Sequence, residues 1–241
     1  MASKPLPIQV GTIIRNEQDR LPAWLEHWKP LAERILVLDQ HSNDDTLDIL
    51  KTSGVEYQQV YPVGSPDVHW DTLLSMSYRE VPFFRVGVDE FIDRDVMEKM
   101  LAVIRNHPRI VMWWVSRRNW IDGHDIAEHP EVKQTMLYRD WQAIISIGGR
   151  SYSIPGRMHM WPKPNVPAEM IGFMDPDLKV EHRRTLPDVI HANESRQHIC
   201  RENAGKEQGW FLRVCREVCG AERASWTRSE YPVEGWTASH G

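Results

Sequence analysis

The stretch that decides the fold is ILVLDQHSNDDT, residues 35–46. It opens with a continuous apolar run at 35–38, which ends at Asp39. It then continues to Asp44 and Asp45, residue types that often begin helices. A strand that is apolar on both faces is typical of a parallel sheet covered by helices on both sides. The segment therefore predicts a buried strand, a polar loop at its carboxyl end and a helix after the loop.

Apolar runs typical of strands alternate with segments of helical spacing on both sides of this stretch. Alternating strands and helices predict an α/β fold, with a mostly parallel, Rossmann-like, doubly wound sheet and helices on both faces. Gly54 is the expected end of the helix that follows Asp45, and Asp95 with Glu98 resembles a capping box at the start of another helix. The other predicted strands cover residues 8–14, 55–60, 83–88 and 110–115, and the other helices cover 20–32, 70–79 and 95–105.

The second half of the chain has a looser pattern. Glycines and prolines after about residue 122 indicate long loops and short antiparallel strands, and an amphipathic helix is expected over 202–218. No repeat or linker divides the sequence. We therefore expect a single domain over 1–241, with two halves at 1–120 and 121–241.

Composition restricts the classes of protein that the chain can belong to. The 241 residues carry a formal charge of −5, with a pI of about 6.1, which argues against nucleic-acid binding through a broadly basic surface. Three cysteines form no disulfide framework, and no apolar run reaches the roughly 18–20 residues of a membrane span. The N-terminus shows no signal-peptide pattern. A cytoplasmic location is the expectation.

Polar clusters follow three of the predicted strands. They are Arg15-Asn16-Glu17, Asp39, and Asp89-Glu90. Ligands of open α/β sheets bind at the carboxyl ends of the strands, so these clusters are expected to line one binding crevice.

The order of these elements resembles the nucleotide-binding half of the family 2 glycosyltransferases, which have the GT-A fold. The family pattern is a strand ending in Asn-Glu, a helix, a strand ending in Asp, and then Ser-x-Asp-x-Thr. Here Asn16-Glu17, Asp39 and Ser42-x-Asp44-x-Thr46 match it, over about fifty residues. The resemblance implies that the chain transfers a sugar from a nucleotide-sugar, with 1–120 as the nucleotide-sugar-binding half and 121–241 as the acceptor-side half.

The donor-binding residues follow from the resemblance together with the chemistry of the side chains. Asp39 can accept hydrogen bonds from ribose hydroxyls or from a pyrimidine N–H, and the matching position in the family binds uridine. Ser42, Asp44 and Thr46 are also residue types that cap helices. The residues assigned to nucleotide-sugar binding are Thr12, Arg15, Asn16, Glu17, Asp39 and Asp44.

The metal site is expected at residues 86–91. Family members end this strand in Asp-x-Asp-Glu and hold Mg²⁺ or Mn²⁺ against the donor diphosphate. Asp89 and Glu90 match, but Gly87 occupies the position of the first Asp. Asp89 is thus the expected metal ligand for Mn²⁺ or Mg²⁺. A third ligand is sought in the second half, where His159 and His191 compete.

The remaining assignments concern the acceptor. An inverting enzyme of this kind uses a carboxylate to deprotonate the acceptor hydroxyl, and the candidates are Glu90, Asp122 and Glu169, with Asp125 as a further possibility. Basic residues interleaved with tryptophans are suited to gripping an anionic acceptor. The acceptor-binding candidates are Trp114, Arg117 and Arg118.

The sequence thus predicts a metal-dependent, inverting hexosyltransferase that uses a nucleotide-sugar, with a UDP-sugar as the default donor. The acceptor is expected to be a glycan or lipid-linked glycan, and less favourably a hydroxylated base in modified viral DNA. One alternative is a catalytically inactive sugar- or nucleotide-binding module, which Gly87 favours. The other is a nucleotidyltransferase, which the lack of a Gly-rich, basic first loop disfavours.

Overall fold

A computed structural model describes residues 4–62, 69–126, 141–146, 152–153, 163–164 and 166–190. Within these residues lie four α-helices, helical residues at 186–190, a short 3-10 helix at Ala168–Met170 and twelve strands. The helices are α1 (Leu21–Trp28), α2 (Thr46–Ser53), α3 (Trp70–Ser75) and α4 (Arg94–Asn106). The strands are β1 (Leu6–Ile14), β2 (Ala32–Asp39), β3 (Glu56–Gln59), β4 (Phe83–Arg85), β5 (Glu90–Phe91), β6 (Met112–Ile121), β7 (His124–Asp125), β8 (Trp141–Ser146), β9 (Tyr152–Ser153), β10 (Lys163–Pro164), β11 (Ile171–Phe173) and β12 (Lys179–Arg184).

The main sheet has the strand order β3-β2-β1-β4-β8-β6-β12-β5. Its first four strands are parallel, and β8 then runs antiparallel to both β4 and β6. Because β1 lies between β2 and β4, the chain reverses its direction of winding beside β1, which is where open α/β sheets bind ligands. The prediction of a mostly parallel sheet holds for the N-terminal part, and antiparallel strands extend it.

Helices cover both faces of the parallel strands. On one face α1 and α4 pack against alternate residues of β2, including Ile35 and Val37. On the other face α3 packs against Leu36 and Leu38. Adjacent residues of β2 thus enter different cores, which is why residues 35–38 of this strand are all apolar.

Helix boundaries differ in detail from the sequence-based expectations. Helix α4 begins after Asp93, whose extended backbone makes it the N-cap, so the expected capping box at Asp95 is wrong and Asp95 lies in the first turn. Helix α2 ends at Gly54, as expected, with a left-handed φ of 74°. Strand β4 stops at Arg85 instead of residue 88, because the backbone turns at Gly87 so that the N–H of Glu90 bonds to the Gly87 carbonyl at 3.1 Å.

Two compact units make up the chain. One is formed by 1–119 with 135–183, and the other by 120–134 with 184–241. In the second unit Asp122 and Gly123, with φ of 48° and 80°, join β7 to the end of β6. Two positive φ angles in a two-residue loop match a type I′ hairpin turn, which Asp-Gly sequences favour. No helix among the described residues is long and apolar enough to cross a membrane.

Candidate active site at the carboxyl edge of the sheet

The predicted polar clusters meet at one edge of the parallel sheet. Ile14 pairs with Asp39, and Asp39 pairs with Gln59, so β1, β2 and β3 end at the same level. The backbone beyond β4 continues along β1, because the N–H of Val86 bonds to the carbonyl of Gly11 at 3.1 Å. Asp89 therefore reaches the same edge as the loops that follow β1 and β2.

The Ser-x-Asp-x-Thr motif joins two neighbouring loops. The Ser42 hydroxyl accepts the N–H of Asn16 at 2.8 Å, and the Thr46 hydroxyl accepts the N–H of Glu17 at 2.7 Å. A carboxylate oxygen of Asp44 accepts the N–H of Gln18 at 3.3 Å. Three consecutive backbone donors after β1 are thus satisfied by three alternate side chains after β2.

This arrangement corrects the helix-capping interpretation of the motif. Asp45 is the N-cap of α2, and no side chain caps that helix end. The only local contact of this kind is the bond from the N–H of Thr46 to Asp44 at 3.0 Å. The motif sets the shape of the crevice by fixing one loop to the other, and the assignment of Asp44 to the donor stays a prediction.

Asp39 is fully buried, and its carboxylate is engaged within the chain. One oxygen accepts the Ser42 hydroxyl, and the other accepts the amide of Gln59 at 2.9 Å. A buried carboxylate needs such donors, because an unpaired charge removed from water is strongly destabilising. Asp39 therefore holds the loop together, and a nucleotide contact would be added to these bonds.

A carboxylate, an imidazole and an amide form the polar centre of the site. His182 on β12 lies with Nε2 3.2 Å from a carboxylate oxygen of Asp89, and with Nδ1 2.6 Å from the Asn119 amide oxygen. The backbone N–H of Arg183 also bonds to the Asp89 carbonyl at 2.8 Å, which fixes the two strands in register. With Asn119 as the acceptor of Nδ1–H, Nε2 faces Asp89, to which it presents a lone pair when the ring is neutral and donates a hydrogen bond when the ring is protonated.

When His182 is neutral, its Nε2 and the facing carboxylate oxygen of Asp89 both carry lone pairs, and such a pair of atoms suits a cation between them. Metal-binding histidines usually donate their second ring N–H to an oxygen acceptor, which sets the tautomer, and Asn119 supplies that acceptor for His182. The residues fit a divalent metal in this respect. No group of three or more His, Cys, Asp or Glu side chains suited to a metal occurs among the described residues, which offer Asp89 and His182 at this position.

The space beside Gly87 is occupied by the Asp89 carboxylate. A Cβ atom added at Gly87 would lie 2.6 Å from Asp89 Oδ1, which is closer than real Cβ contacts. An aspartate at position 87, as in the family pattern, would therefore require the Asp89 carboxylate to shift. The departure from the family motif is thus coupled to the geometry of this site.

Glu90 is buried beneath the site and points away from solvent. One carboxylate oxygen accepts the Arg117 guanidinium at 3.0 Å, and the other accepts the N–H of Gly87 at 2.8 Å. The Trp28 indole donates to the Glu90 carbonyl at 3.3 Å. Glu90 therefore stabilises the turn that carries Asp89, an arrangement poorly suited to a general base.

The structure brings some of the other predicted residues to the edge and leaves others elsewhere. Asn16 and Glu17 lie in the loop after β1, and Arg15 is half-buried beside them, whereas Thr12 is buried within β1 opposite Val37. Glu17 also forms an ion pair with Arg20 at 2.7 Å.

Acceptor candidates on β6 divide between its two faces. Arg117 shares a face with Asn119 and binds Glu90, whereas Trp114 and Arg118 alternate onto the opposite face. Trp114 stacks on Phe173, with ring centroids 6.5 Å apart. The Asp89 face therefore includes Arg117 alone of the three.

The remaining predicted residues lie in three different settings. Asp122, a candidate base, occupies the β6–β7 turn, and its carboxylate accepts the N–H of Leu186 at 3.3 Å. Glu169 is exposed in the 3-10 helix. His159 and His191, the predicted metal ligands, lie outside the described residues, as does the helix expected over 202–218.

Sequence reasoning missed His182 and Asn119. A weak signal existed, because Val180 and His182 alternate as buried residues in a strand that is otherwise charged. Only the pairing of β12 with β5, which sets His182 opposite Glu90, brings the ring to Asp89.

Comparisons with known proteins identify the fold and not a family. No protein-family model matches the chain, and no curated protein sequence matches it significantly. Among solved structures, S. aureus TarS is similar, with 14% identity and a TM-score of 0.51 over 93% of this chain. The chain spans 45% of the length of that TarS chain. A structure of glucosyl-3-phosphoglycerate synthase from Mycobacterium tuberculosis, in complex with Mn²⁺, UDP and phosphoglyceric acid, matches with 16% identity and a TM-score of 0.49, over 86% of this chain and 78% of that one. The likeness to TarS confirms the predicted α/β fold of the GT-A type.

Proposed function

We propose that the chain is a metal-dependent glycosyltransferase that moves a hexose from a nucleotide-sugar to an acceptor hydroxyl. The observation that carries the proposal is the group formed by Asp89, His182 and Asn119 at the carboxyl edge of a GT-A-type sheet. The sequence pattern through Thr46 supports the donor class, and the fold supports the location of the site.

Asp89 and His182 would hold the divalent cation, with the donor diphosphate and water as the other ligands. When bound, the cation would neutralise the diphosphate and stabilise negative charge on the leaving nucleotide. An imidazole ligand favours Mn²⁺ over Mg²⁺, because Mg²⁺ prefers a shell of oxygen atoms. Asn119 sets the orientation of the ring, and Gly87 leaves room for the Asp89 carboxylate.

The nucleotide would lie along the edge over Asn16, Glu17 and Asp39, in the crevice that the paired loops form. A UDP-hexose is the proposed donor, by resemblance to the family 2 glycosyltransferases. A carboxylate would accept the proton of the acceptor hydroxyl as that hydroxyl attacks the anomeric carbon, giving inversion. Because both oxygens of Glu90 are engaged, Asp122 and Glu169 remain the proposed candidates for this base.

The acceptor is proposed to be a glycan or a lipid-linked glycan. Trp114 and Arg118 would contact the acceptor only if the acceptor reaches the face of β6 opposite Arg117 and Asn119. A hydroxylated base in DNA is the less favoured acceptor, and transfer to DNA would fall steeply as salt rises, because phosphate contacts release counterions. A cytoplasmic location is proposed because the three cysteines suggest no disulfide framework, which fits a reducing compartment.

The alternative of an inactive binding module rests on Gly87. The 2.6 Å approach to Asp89 offers a steric reason for that glycine, which removes the main ground for the alternative. Measuring both nucleotide-sugar binding and nucleotide release separates the two functions, since a binding module would bind a nucleotide-sugar without releasing the nucleotide.

The test measures UDP released from UDP-hexoses with Mn²⁺ and with a chelator, which needs no acceptor because water can replace it. We expect release only with metal, and a loss of at least about 100-fold in Asp89→Asn. Asp95→Asn, an exposed carboxylate in the first turn of α4, is the matched control. Nucleotide binding without release would support the inactive module, and equal rates in both variants would exclude Asp89 from catalysis.

A further inference from the structure

Two exposed aromatic rings lie at the carboxyl edge, outside the group around Asp89. Asp39 and Gln59 pair at the ends of β2 and β3, and His41 and Tyr61 each follow two residues later. The two ring centroids are 5.0 Å apart, with planes inclined at 38°. Tyr61 is 77% exposed and His41 is exposed as well, so the pair presents uncovered aromatic surface at this edge.

His41 is held in an unfavourable backbone conformation. Its φ is 48°, in the left-handed region where glycine is the residue without steric penalty. The residues on both sides are fixed: the N–H of Gln40 bonds to the Ile14 carbonyl, and the N–H of Ser42 bonds to the Asp39 carboxylate. Backbone strain of this kind tends to persist at functional sites. We therefore expect the His41 imidazole to have a role that a glycine at this position could not fill.

Tyr61 is also fixed in place. The ring nitrogen Nε2 of His69 lies 2.7 Å from the Tyr61 carbonyl oxygen. The N–H of Val60, directly before Tyr61, bonds to the carbonyl of Asp39 at 2.9 Å. The backbone at both ring positions is therefore anchored to the sheet, which prepares the two rings for a planar ligand.

The order of the strands indicates which part of a ligand reaches this pair. Asp89 follows β4, and His41 and Tyr61 follow β2 and β3, two and three strands away. Neighbouring strands are about 4.8 Å apart, so this separation is on the order of 10–14 Å, comparable with an extended nucleoside diphosphate. A nucleotide with its diphosphate at Asp89 would thus extend its base toward the ring pair.

We propose that His41 and Tyr61 form a stacking surface for the base of the nucleotide. This inference rests on the proposed function, since it takes the bound ligand to be a nucleoside diphosphate. Aromatic side chains that stack on bases contribute about tenfold or more in affinity per base, with little dependence on which base is present. The ring pair therefore supplies affinity, and the choice of base comes from polar groups such as Asp39.

The test compares two ligands, UDP and inorganic pyrophosphate, each titrated calorimetrically with Mn²⁺. Pyrophosphate has the diphosphate and lacks the base. We expect His41→Gly and Tyr61→Ala to weaken UDP binding about tenfold and to leave pyrophosphate binding unchanged. Tyr61→Phe keeps the ring and should retain UDP affinity. Phe173→Ala is the control, because Phe173 is a 64% exposed aromatic that packs on Trp114.

His41→Gly also separates stacking from misfolding. Glycine relieves the left-handed conformation, so this variant should melt at the same temperature as the wild type or higher, while it binds UDP more weakly. Unchanged UDP affinity in both variants would overturn the inference, as would an equal loss for pyrophosphate, which would indicate a disturbed loop. A wild-type protein that binds neither ligand would instead overturn the proposed function.

Discussion

At the scale of single residues, Gly87 is the clearest link between packing and the proposed metal site. A methyl group at this position would approach Asp89 Oδ1 to 2.6 Å. We expect Gly87→Ala to weaken Mn²⁺ binding about tenfold or more, because Asp89 must move away from His182. Electron paramagnetic resonance of free Mn²⁺ measures this directly. Gly54→Ala, with no atom near its added Cβ, should lower stability and leave Mn²⁺ affinity intact.

Glu90 offers a second residue-scale prediction, which separates a structural carboxylate from a catalytic base. Glu90→Gln replaces the buried charge that pairs with Arg117 and should reduce the free energy of unfolding by about 1–3 kcal/mol. The ion pair of Arg94 with the exposed Glu98 on α4 is the control, and Glu98→Gln should cost under about 1 kcal/mol. Chemical denaturation gives both values. A Glu90→Gln protein of normal stability without turnover would show that Glu90 is the base.

His27 gives the protein a predictable sensitivity to acid. Burial lowers its pKa below 6.5; the hydrogen bond with the Ile92 backbone opposes this in part, and Arg183 lowers the pKa further by more than Asp93 raises it. The folded state therefore favours the neutral ring, and this contribution to stability is present above pH 6.5 and is lost as the pH falls below it. Wild type should lose more stability than His27→Gln between pH 7 and pH 5 in denaturant titrations. Parallel curves for the two proteins would refute this account.

At the scale of elements, the loops after β1 and β2 act as one unit. Ser42→Ala removes the acceptor of the Asn16 N–H and a donor to the buried Asp39, and should cost about 1–3 kcal/mol of stability. UDP affinity should fall as well, because the loops line the crevice. Ser53→Ala, which removes a hydroxyl bonded to the Leu50 carbonyl at the end of α2, is the matched control. It should alter stability alone, and equal UDP affinity in both variants would contradict a shared role of the loops.

The sequence was most informative where structure is local. The apolar run at 35–38, Asp39 and Gly54 predicted β2, its loop and the end of α2, because each signal lies within a few residues of its consequence. The Asp122-Gly123 sequence is also a local signal, for a type I′ hairpin turn, which the sequence-based expectations did not include; the catalytic role of Asp122 stays a prediction. In each of these cases the residues that determine the local structure lie within it or directly beside it.

The site itself depends on pairings that the sequence does not contain. Asp89 and His182 are brought together by antiparallel strands far apart along the chain, and Asn119 comes from a third strand. No feature of the sequence around a histidine in a charged strand predicts which side chains that histidine will contact. For the same reason Arg117 was assigned to the acceptor, although its nearest charge is the buried Glu90.

At the scale of the whole molecule, the proposed cation site and the proposed nucleotide crevice lie on one GT-A-type sheet. The parallel strands carry the crevice, and the antiparallel strands β5, β6 and β12 supply Glu90, Asn119 and His182. The donor diphosphate is proposed to complete the shell of a metal bound to Asp89 and His182. Metal and nucleotide should therefore bind together, each raising the affinity for the other.

The most direct test of the central claim is a calorimetric titration of UDP into the wild-type protein, with and without Mn²⁺, repeated with His182→Gln. The account predicts binding that requires Mn²⁺ in the wild type and is at least about tenfold weaker in the variant. UDP binding that is equally strong without metal, or unaffected by the loss of His182, would contradict the cation site that Asp89 and His182 are proposed to form.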